Sequence, residues 1–323
     1  MSTKTALICG ISGQDGAYLA RYLLHKGYQV FGTSRDAHSS SFANLVSLEI
    51  RDQVKVLSVA LNDFRSVLQA LVIAKPDEVY NLAGQSSVGL SFEQPVETLE
   101  SITIGTLNIL EAIRFTDRPI KLYNAGSSEC FGDTAGEPAT ELTAFHPRSP
   151  YGVSKSAAFW EVSNYREAYN LYACSGILFN HESPLRPERF VTKKIISSAC
   201  RIRDGGKEKL QLGNISIERD WGWAPEYVEA MWLMLQQPEP EDFVIATGYS
   251  YKLEKFIEHA FSYLDMDWTK YVTIDETLYR PTDIMFGKGD PTNAEKKLGW
   301  KAKYTMPNVV EMLIDAEMSK ISK

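Results

Sequence analysis

The chain has 323 residues, of which 44% are apolar and 23% charged, with a net charge of -7. That length exceeds one average domain but suits a large α/β fold with a smaller second lobe, and the balance of residue types excludes disordered and fibrous architectures. The acidity excludes non-specific binding to nucleic acid, so an anionic ligand needs a locally basic pocket.

Met1-Ser2-Thr3-Lys4-Thr5 leads directly into an apolar strand without the order of a signal peptide, and no apolar run reaches membrane-spanning length. A cytoplasmic protein with no membrane partner is expected. Ala6-Leu7-Ile8-Cys9 reads as a buried first strand, and Leu19, Leu23 and Leu24 then recur at helical spacing until Gly27. Further strands are predicted over 28–33 and 54–60, a helix over 64–75, a fourth strand at Glu78-Val79-Tyr80-Asn81 and a long helix over 96–114. In that helix Leu99, Ile102, Ile104, Leu107, Leu110 and Ile113 recur mostly every two to three residues, which leaves its buried face undefined. A fifth strand at Lys121-Leu122-Tyr123-Asn124-Ala125, a helix over 151–169 and a sixth strand over 173–179 follow. This alternation predicts an α/β fold with a doubly wound, Rossmann-type parallel sheet.

Beyond it, Pro184, Pro187, Pro238, Pro240, Pro281 and Pro291 break the chain into shorter elements. We therefore expect a dinucleotide-binding domain over 1–179 and a smaller α/β substrate lobe mainly over 180–323. A segment near 220–248, with Phe243-Val244-Ile245-Ala246, is expected to return to the main sheet. Cys9, Cys130, Cys174 and Cys200 are irregularly spaced, which fits reduced thiols and gives no disulfide framework or metal site.

Three motifs carry chemistry. Gly10-Ile11-Ser12-Gly13-Gln14-Asp15-Gly16 lies between the first strand and the first helix, where glycines let backbone amides approach a pyrophosphate at a helix N-terminus. A plain Gly-rich turn has the same composition; the flanking strand and helix favour the dinucleotide. After the second strand, Thr33-Ser34-Arg35-Asp36 offers both a fork for a 2′-phosphate and a carboxylate for ribose hydroxyls. Arg35 comes first and points to NADP; NAD, or an exposed ion pair on a solvated loop, remains open. In Tyr151-Gly152-Val153-Ser154-Lys155 the phenol and ammonium are four residues apart on one helix face, so that Lys155 favours the ionised phenol as a proton acceptor. The ordinary alternative is a surface pair. Finally, Gly126-Ser127-Ser128-Glu129-Cys130 follows the fifth strand, and Ser127 and Glu129 share a side if the segment stays extended. The hydroxyl can then bond an oxygen undergoing oxidation while the carboxylate does proton work beside it; a Ser-rich turn with a solvated glutamate is the alternative.

These segments, with Pro76-Asp77-Glu78-Val79-Tyr80-Asn81-Leu82-Ala83, Gln85-Ser86, Pro147-Arg148-Ser149-Pro150-Tyr151, Leu178-Phe179-Asn180-His181-Glu182-Ser183-Pro184 and Arg219-Asp220-Trp221-Gly222, resemble the extended short-chain dehydrogenases. Within them the resemblance is to the GDP-mannose 4,6-dehydratases, from near the N-terminus to Gly299-Trp300. It implies a redox-neutral cycle on one bound NADP, giving a 4-keto-6-deoxy sugar nucleotide. Tyr151 would deprotonate the C4 hydroxyl, Lys155 orient it, Ser127 bond the same oxygen, and Glu129 remove the C5 proton and help water leave from C6. Ser127 stands where the family usually has threonine, and the lone Glu129, where related dehydratases have an Asp-Glu pair, must act as both base and acid.

The resemblance assigns the cofactor to Gly10, Ser12, Gly13, Gln14, Asp15, Gly16, Arg35, Leu82, Ala83, Tyr151, Lys155 and His181, the last without a catalytic or metal role. It assigns the GDP-sugar to Ser86, Asn180, Glu188, Lys194, Arg219 and Arg280. Arg35-Asp36 replaces paired arginines, Ala60 an acidic residue near the adenine, and Leu185-Arg186-Pro187 an Arg-Arg-Gly run tied to cofactor and inter-subunit contacts. A homodimer or homotetramer is expected, the dimer through a four-helix interface of the helices over 96–114 and 151–169. The competing functions are a dehydratase for another GDP-sugar such as a GDP-manno-heptose, a 4-reductase or C4 epimerase that needs no Glu129, and a non-catalytic dinucleotide-binding regulator.

Overall fold

The computed structural model describes residues 3–321. Six strands, β1 (Thr5–Cys9), β2 (Gln29–Ser34), β3 (Val54–Ser58), β4 (Glu78–Asn81), β5 (Lys121–Ser127) and β6 (Ala173–Leu178), form the body of a parallel sheet. Between them run α1 (Gln14–His25), α2 (Ala43–Ser47), α3 (Phe64–Ala74), α4 (Val88–Glu93), α5 (Pro95–Leu99), α6 (Gly105–Thr116) and α7 (Pro150–Tyr169). The chain continues through β7 (Asn180–Glu182), α8 (Val191–Arg203), β8 (Leu210–Leu212), β9 (Glu218–Arg219), β10 (Trp221–Trp223), α9 (Ala224–Leu235) and β11 (Phe243–Ile245). It ends with β12 (Tyr251–Lys252), α10 (Leu253–Tyr263), β13 (Val272–Ile274), β14 (Phe286–Gly287), α11 (Thr292–Leu298) and α12 (Met306–Ile321).

The main sheet has the order β11-β6-β5-β4-β1-β2-β3, with β11 returning from the second half to pair Phe243 with Gly176. Alternation along each strand divides its side chains between two apolar layers. Ala6, Ile8, Val30, Tyr80 and Tyr123 pack under α1 and α9, while Leu7, Cys9, Phe31, Val79 and Leu122 pack under α3 and α6. Both faces are therefore covered, which is why these strands read as nearly unbroken apolar runs. A separate core joins α8, α10 and α12 through Ile195, Phe256, Phe261, Val309 and Leu313, with Trp221 from β10. Strand order reverses between β1 and β4, and the carboxyl edge at such a switch point is where open α/β sheets bind ligands.

Two local departures from the sequence reading matter for the site. The long helix before β5 runs from α5 to α6 through a π turn at Glu100–Ile104, so the apolar residues change phase midway. Ile102, Leu110 and Ile113 face the core, while Leu99 and Ile104 stay about two-fifths exposed at 40% and 42%. The fifth strand also runs two residues further than expected, to Ser127, and then bends into a 3-10 turn at Ser128–Cys130. No helix among the described residues is long and apolar enough to cross a membrane.

Candidate active site

The loop after β1 is shaped by glycine. Gly10 has φ +86, and a Cβ there would lie 2.9 Å from the Leu82 carbonyl oxygen after β4. A Cβ at Gly16 would lie 2.3 Å from the Gly10 oxygen, so the first turn of α1 rests directly on the loop backbone. Gly13 N–H donates to the Gly10 oxygen at 3.1 Å, and helical bonding begins with Ala17 N–H to the Gly13 oxygen. The amides of Gln14, Asp15 and Gly16 thus form the open end of a helix, which favours an anion. Leu82 and Ala83 border the loop, Ser12 is exposed, and its carbonyl accepts from Asn44 Nδ2 at 2.9 Å. This cradle, closed to any side chain at Gly10 and Gly16, fits a dinucleotide pyrophosphate.

The Gln14, Asp15 and His181 side chains are engaged with one another. Gln14 Nε2 donates to Asp15 and to the His181 carbonyl, and Ser183 Oγ donates to Gln14 Oε1 at 2.7 Å. His181 Nε2 lies 2.9 Å from Asp15 Oδ2, its Nδ1 2.7 Å from the Phe179 oxygen, and its ring stacks on Tyr227. Burial pushes the Asp15 carboxyl up, but the His181 charge and hydrogen bond together with Gln14 outweigh it and hold the group at about 2. Burial likewise pushes His181 down, and Asp15 more than reverses this, so its pKa is raised above 6.5. This one ion pair fastens α1 to β7.

Its contribution to stability has a defined pH window. The Asp15 part is present above 3.8 and lost as pH falls through about 2; the His181 part is present below 6.5 and lost as pH rises through its raised value. An Asp15→Asn variant should therefore unfold more easily than wild type by about 1–2 kcal/mol between roughly pH 4 and 6.5. Thermal melts of both proteins should converge on either side of that window; a gap that is constant with pH refutes the assignment.

At the head of α7, Ser149 caps the helix by accepting from Gly152 N–H at 3.0 Å, and Pro150 follows at the first helical position. This start aims Tyr151 and Lys155 at the end of β5. Lys155 Nζ donates to the Ala125 oxygen at 2.7 Å and sits 5.9 Å from the centroid of the Tyr151 ring. Burial pushes the Lys155 ammonium down to about 8. Burial also raises the Tyr151 phenol, with Cys130 and Glu129 adding to the rise, and the Ser127 hydrogen bond and the Arg186 charge pulling it down. Desolvation dominates this balance, and the Lys155 ammonium bonds the Ala125 carbonyl.

Ser127 and Glu129 reach this centre by a different route from the extended segment expected. Ser127 is the last residue of β5 and its Oγ accepts from Glu129 N–H at 3.3 Å, closing the 3-10 turn. Gly152 lies against that turn: a Cβ there would be 2.8 Å from the Glu129 oxygen. Ser127, Glu129, Tyr151 and Lys155 are thus brought together at the carboxyl edge of β5.

Arg219 lies in the same cleft. It is 7% exposed, with Nη1 donating to the Glu218 oxygen at 2.9 Å and Nη2 buried without a hydrogen-bond partner. Burial lowers its pKa, opposed first by the charge of Glu129, and Arg280 adds to the lowering. Glu129, Arg219 and Arg280 therefore interact across one space. Asn180 is half-buried in β7, paired with Trp221, and Ser86 is exposed after β4. Lys194 Nζ donates to the Gln211 oxygen, and Glu188 forms an exposed ion pair with Arg201.

Arg35 is exposed and forms no ion pair among the described residues, while the Asp36 carboxylate accepts from His38 N–H, Ser39 N–H and Ser39 Oγ. These bonds hold Asp36 at about 2. Arg186, noted in the sequence only as part of the Leu185-Arg186-Pro187 departure, has its guanidinium 3.8 Å over the Phe190 ring and 3.3 Å from Glu182, and its charge reaches Tyr151, Asp15 and His181. No group of three metal-ligating side chains occurs among the described residues.

A family model described as GDP-mannose 4,6 dehydratase matches residues 7–313. The chain is 48% identical to GDP-mannose 4,6 dehydratase 1 of Arabidopsis thaliana, over 98% of this chain and 90% of the relative. Among solved structures it superposes on dTDP-glucose 4,6-dehydratase from Bacillus anthracis in complex with NAD, with TM-score 0.86, 17% identity and coverage of 99% and 98% of the two chains. RMD from Pseudomonas aeruginosa complexed with NADPH gives TM-score 0.81 at 23% identity, covering 98% of this chain and all of the other, 100%. On the full-length family match and the near-half identity, this chain belongs to the GDP-mannose 4,6-dehydratase family.

Proposed function

We propose that this protein is a hydro-lyase that converts GDP-mannose to GDP-4-keto-6-deoxymannose with a nicotinamide dinucleotide held at the Gly10–Gly16 loop. The observation that carries the reading is the placement of Glu129, whose charge acts on both the Tyr151 phenol and the buried Arg219 guanidinium. A reduction or epimerisation at C4 needs the phenol but no carboxylate; an elimination across C5 and C6 needs a base beside it.

Tyr151, ionised as the phenolate, takes the proton of the C4 hydroxyl and becomes the neutral phenol, while Ser127 Oγ bonds the same oxygen. Lys155, anchored on the Ala125 carbonyl, places its positive charge beneath the phenol ring. When bound, the nicotinamide supplies a reversible hydride acceptor, so the cycle needs no external oxidant or reductant. Once C4 is a ketone the C5 proton is acidified, and Glu129 removes it and then gives a proton to the departing C6 hydroxyl. The backbone amides of Gln14, Asp15 and Gly16, with Leu82, Ala83 and the anchored His181, would hold the cofactor.

NADP is favoured because Asp36 is closed by its own loop while the Arg35 fork is unpaired. The Arg219 Nη2 left without a partner suits a diphosphate oxygen, with Arg280 and Asn180 beside it. In this reading residues 1–179 bind the dinucleotide and 180–323 mainly the sugar nucleotide. Val96, Leu99, Ile104, Val153 and Trp160, the last 61% exposed, form an apolar face on α5 to α7 that suits a homodimer.

Purified protein given GDP-mannose and no added cofactor should yield a 4-keto product with no net accumulation of NADPH. Inactivity with GDP-sugars alongside stoichiometric cofactor turnover on another substrate would instead identify a reductase.

A further inference from the structure

We infer that Asp133 is a positioning residue that sets Glu129 in register with Arg219. The inference rests on the reading above in assigning those two residues to the reaction, but it is carried by a hydrogen-bonded path seen in the fold. Asp133 lies four positions after Glu129, beyond Gly132, whose φ of +68 and close approach to the His146 oxygen turn the chain away from β5. Its Oδ1 accepts from Ala135 N–H at 3.0 Å, which stiffens the turn, and its Oδ2 accepts from Met285 N–H at 2.8 Å. The carbonyl of Met285 accepts in turn from Glu218 N–H at 2.8 Å. Glu218 directly precedes Arg219 in β9. Met285 therefore links the turn that bears Glu129 to the strand that bears Arg219, with one bond on each side.

The strap around Met285 also shapes the pocket for the guanidinium. β14 pairs with β9 with Gly287 opposite Arg219, and a Cβ at Gly287 would stand 3.2 Å from Arg219 Cδ. Arg280 precedes Met285 on the same strap, and the charges of Arg280, Asp283 and Asp133 all act on Arg219. Three other bonds hold the strap to the segment between the turn and α7: Thr282 Oγ1 to the Arg148 oxygen, Ala139 N–H to the Lys288 oxygen and Asp290 N–H to the Ala139 oxygen. Those are remote from Glu129 along the chain. Asp133 is the contact closest to the catalytic turn, and it is charged, so its hydrogen bond is stronger than the neutral ones around it. Releasing it should leave the fold intact and loosen only the spacing between the carboxylate that works at C5 and the cation at the far end of the substrate.

The test compares wild type with Asp133→Ala and Asp133→Asn in the full chain. In hydrogen exchange, Met285 N–H should lose about tenfold in protection in the alanine variant while the amides of β1 and β5 do not change. Turnover of GDP-mannose should fall about tenfold in kcat, since misplacement of reacting groups by a fraction of an ångström is felt mainly there. The affinity for GDP, measured by calorimetry, should stay within about threefold because Arg219 remains held in β9. Asparagine keeps a single acceptor and should recover part of the loss. A second readout needs no turnover: GDP should protect the amides of residues 128–133 in wild type and fail to do so in Asp133→Ala. If GDP protects that turn equally in both proteins, or kcat is unchanged in the alanine variant, the inference is overturned. Wild type that is inactive on GDP-mannose but loses the GDP-induced protection in Asp133→Ala supports the positioning role and refutes only the elimination chemistry.

Discussion

A Glu129→Gln variant should lose dehydration of GDP-mannose by about 10³-fold in kcat, within the range set by removing a positioned acid–base group. Glutamine is close in size and shape, and the bond that builds the turn uses the backbone N–H of residue 129 donating to Ser127 Oγ, so the 3-10 turn survives. What disappears is a carboxylate able to accept the C5 proton and return one at C6. Binding should change in the other direction. The Glu129 charge is the first of those that compensate Arg219, and without it the guanidinium turns more fully toward an added anion. GDP should therefore bind as tightly as to wild type, or slightly more tightly, while product formation stops. A C4 epimerase or a 4-reductase makes the contrary prediction, since neither reaction breaks the C5–H bond. Formation of the 4-keto product near the wild-type rate in this variant would exclude Glu129 as the base, and wild-type turnover without that product would leave Tyr151 and Lys155 serving one of those simpler reactions.

The parts of this site that were legible in the sequence are those whose geometry is local. The first strand, the glycines and α1 lie within one short stretch, and the requirement for positive φ at Gly10 and for a missing side chain at Gly16 follows from the turn itself. The four-residue spacing of Tyr151 and Lys155 is equally local, since it needs only that α7 be a helix. The surroundings that set their charge were not legible. Ala125 draws the ammonium, and Arg186 arrives from beyond β7, so the electrostatics at the phenol depend on contacts across the fold. Glu129 was singled out by its place after the fifth strand and then by resemblance, but the extended segment on which it would share a side with Ser127 is instead a 3-10 turn. The bend after Ser127 is made by a side-chain to backbone bond that period-two alternation does not reveal. A related failure explains the helix over 96–114. Its apolar spacing fitted no single face because the π turn at Glu100–Ile104 inserts a change of phase, turning Leu99 and Ile104 outward while Ile102 and Leu110 stay inside.

The tightest mechanical coupling in the centre is at Gly152, and Gly152→Val should be the most damaging substitution that removes no functional group. Its missing side chain is what lets α7 approach the turn: a Cβ would stand 2.8 Å from the Glu129 oxygen and 3.1 Å from Pro147 Cβ. The first of these is a backbone atom that cannot rotate away. Within the helix, Ser149 Oγ accepts from Gly152 N–H and Ser156 Oγ donates to the Gly152 oxygen at 2.8 Å, which fixes the backbone at this position. Alanine already places its Cβ below 3.0 Å from that backbone oxygen, so the helix or the turn must shift, and the gain of about 1 kcal/mol in helix propensity over glycine offsets the cost only in part; Gly152→Ala should be mildly destabilised. Valine gains less propensity, and its branches add further contacts to the collision that its Cβ already makes. Overpacking of this kind costs about 1–3 kcal/mol, and the displacement of Tyr151 from Glu129 should lower kcat by about 10²-fold. The loop at Gly10 to Gly16 is untouched, so dinucleotide binding, followed by fluorescence, should stay near that of wild type. A graded fall in kcat from glycine through alanine to valine, with cofactor binding preserved, is the signature of two catalytic elements pushed apart; equal kcat in all three would mean that the contact between α7 and the Ser128–Cys130 turn has no part in aligning the phenol with the carboxylate.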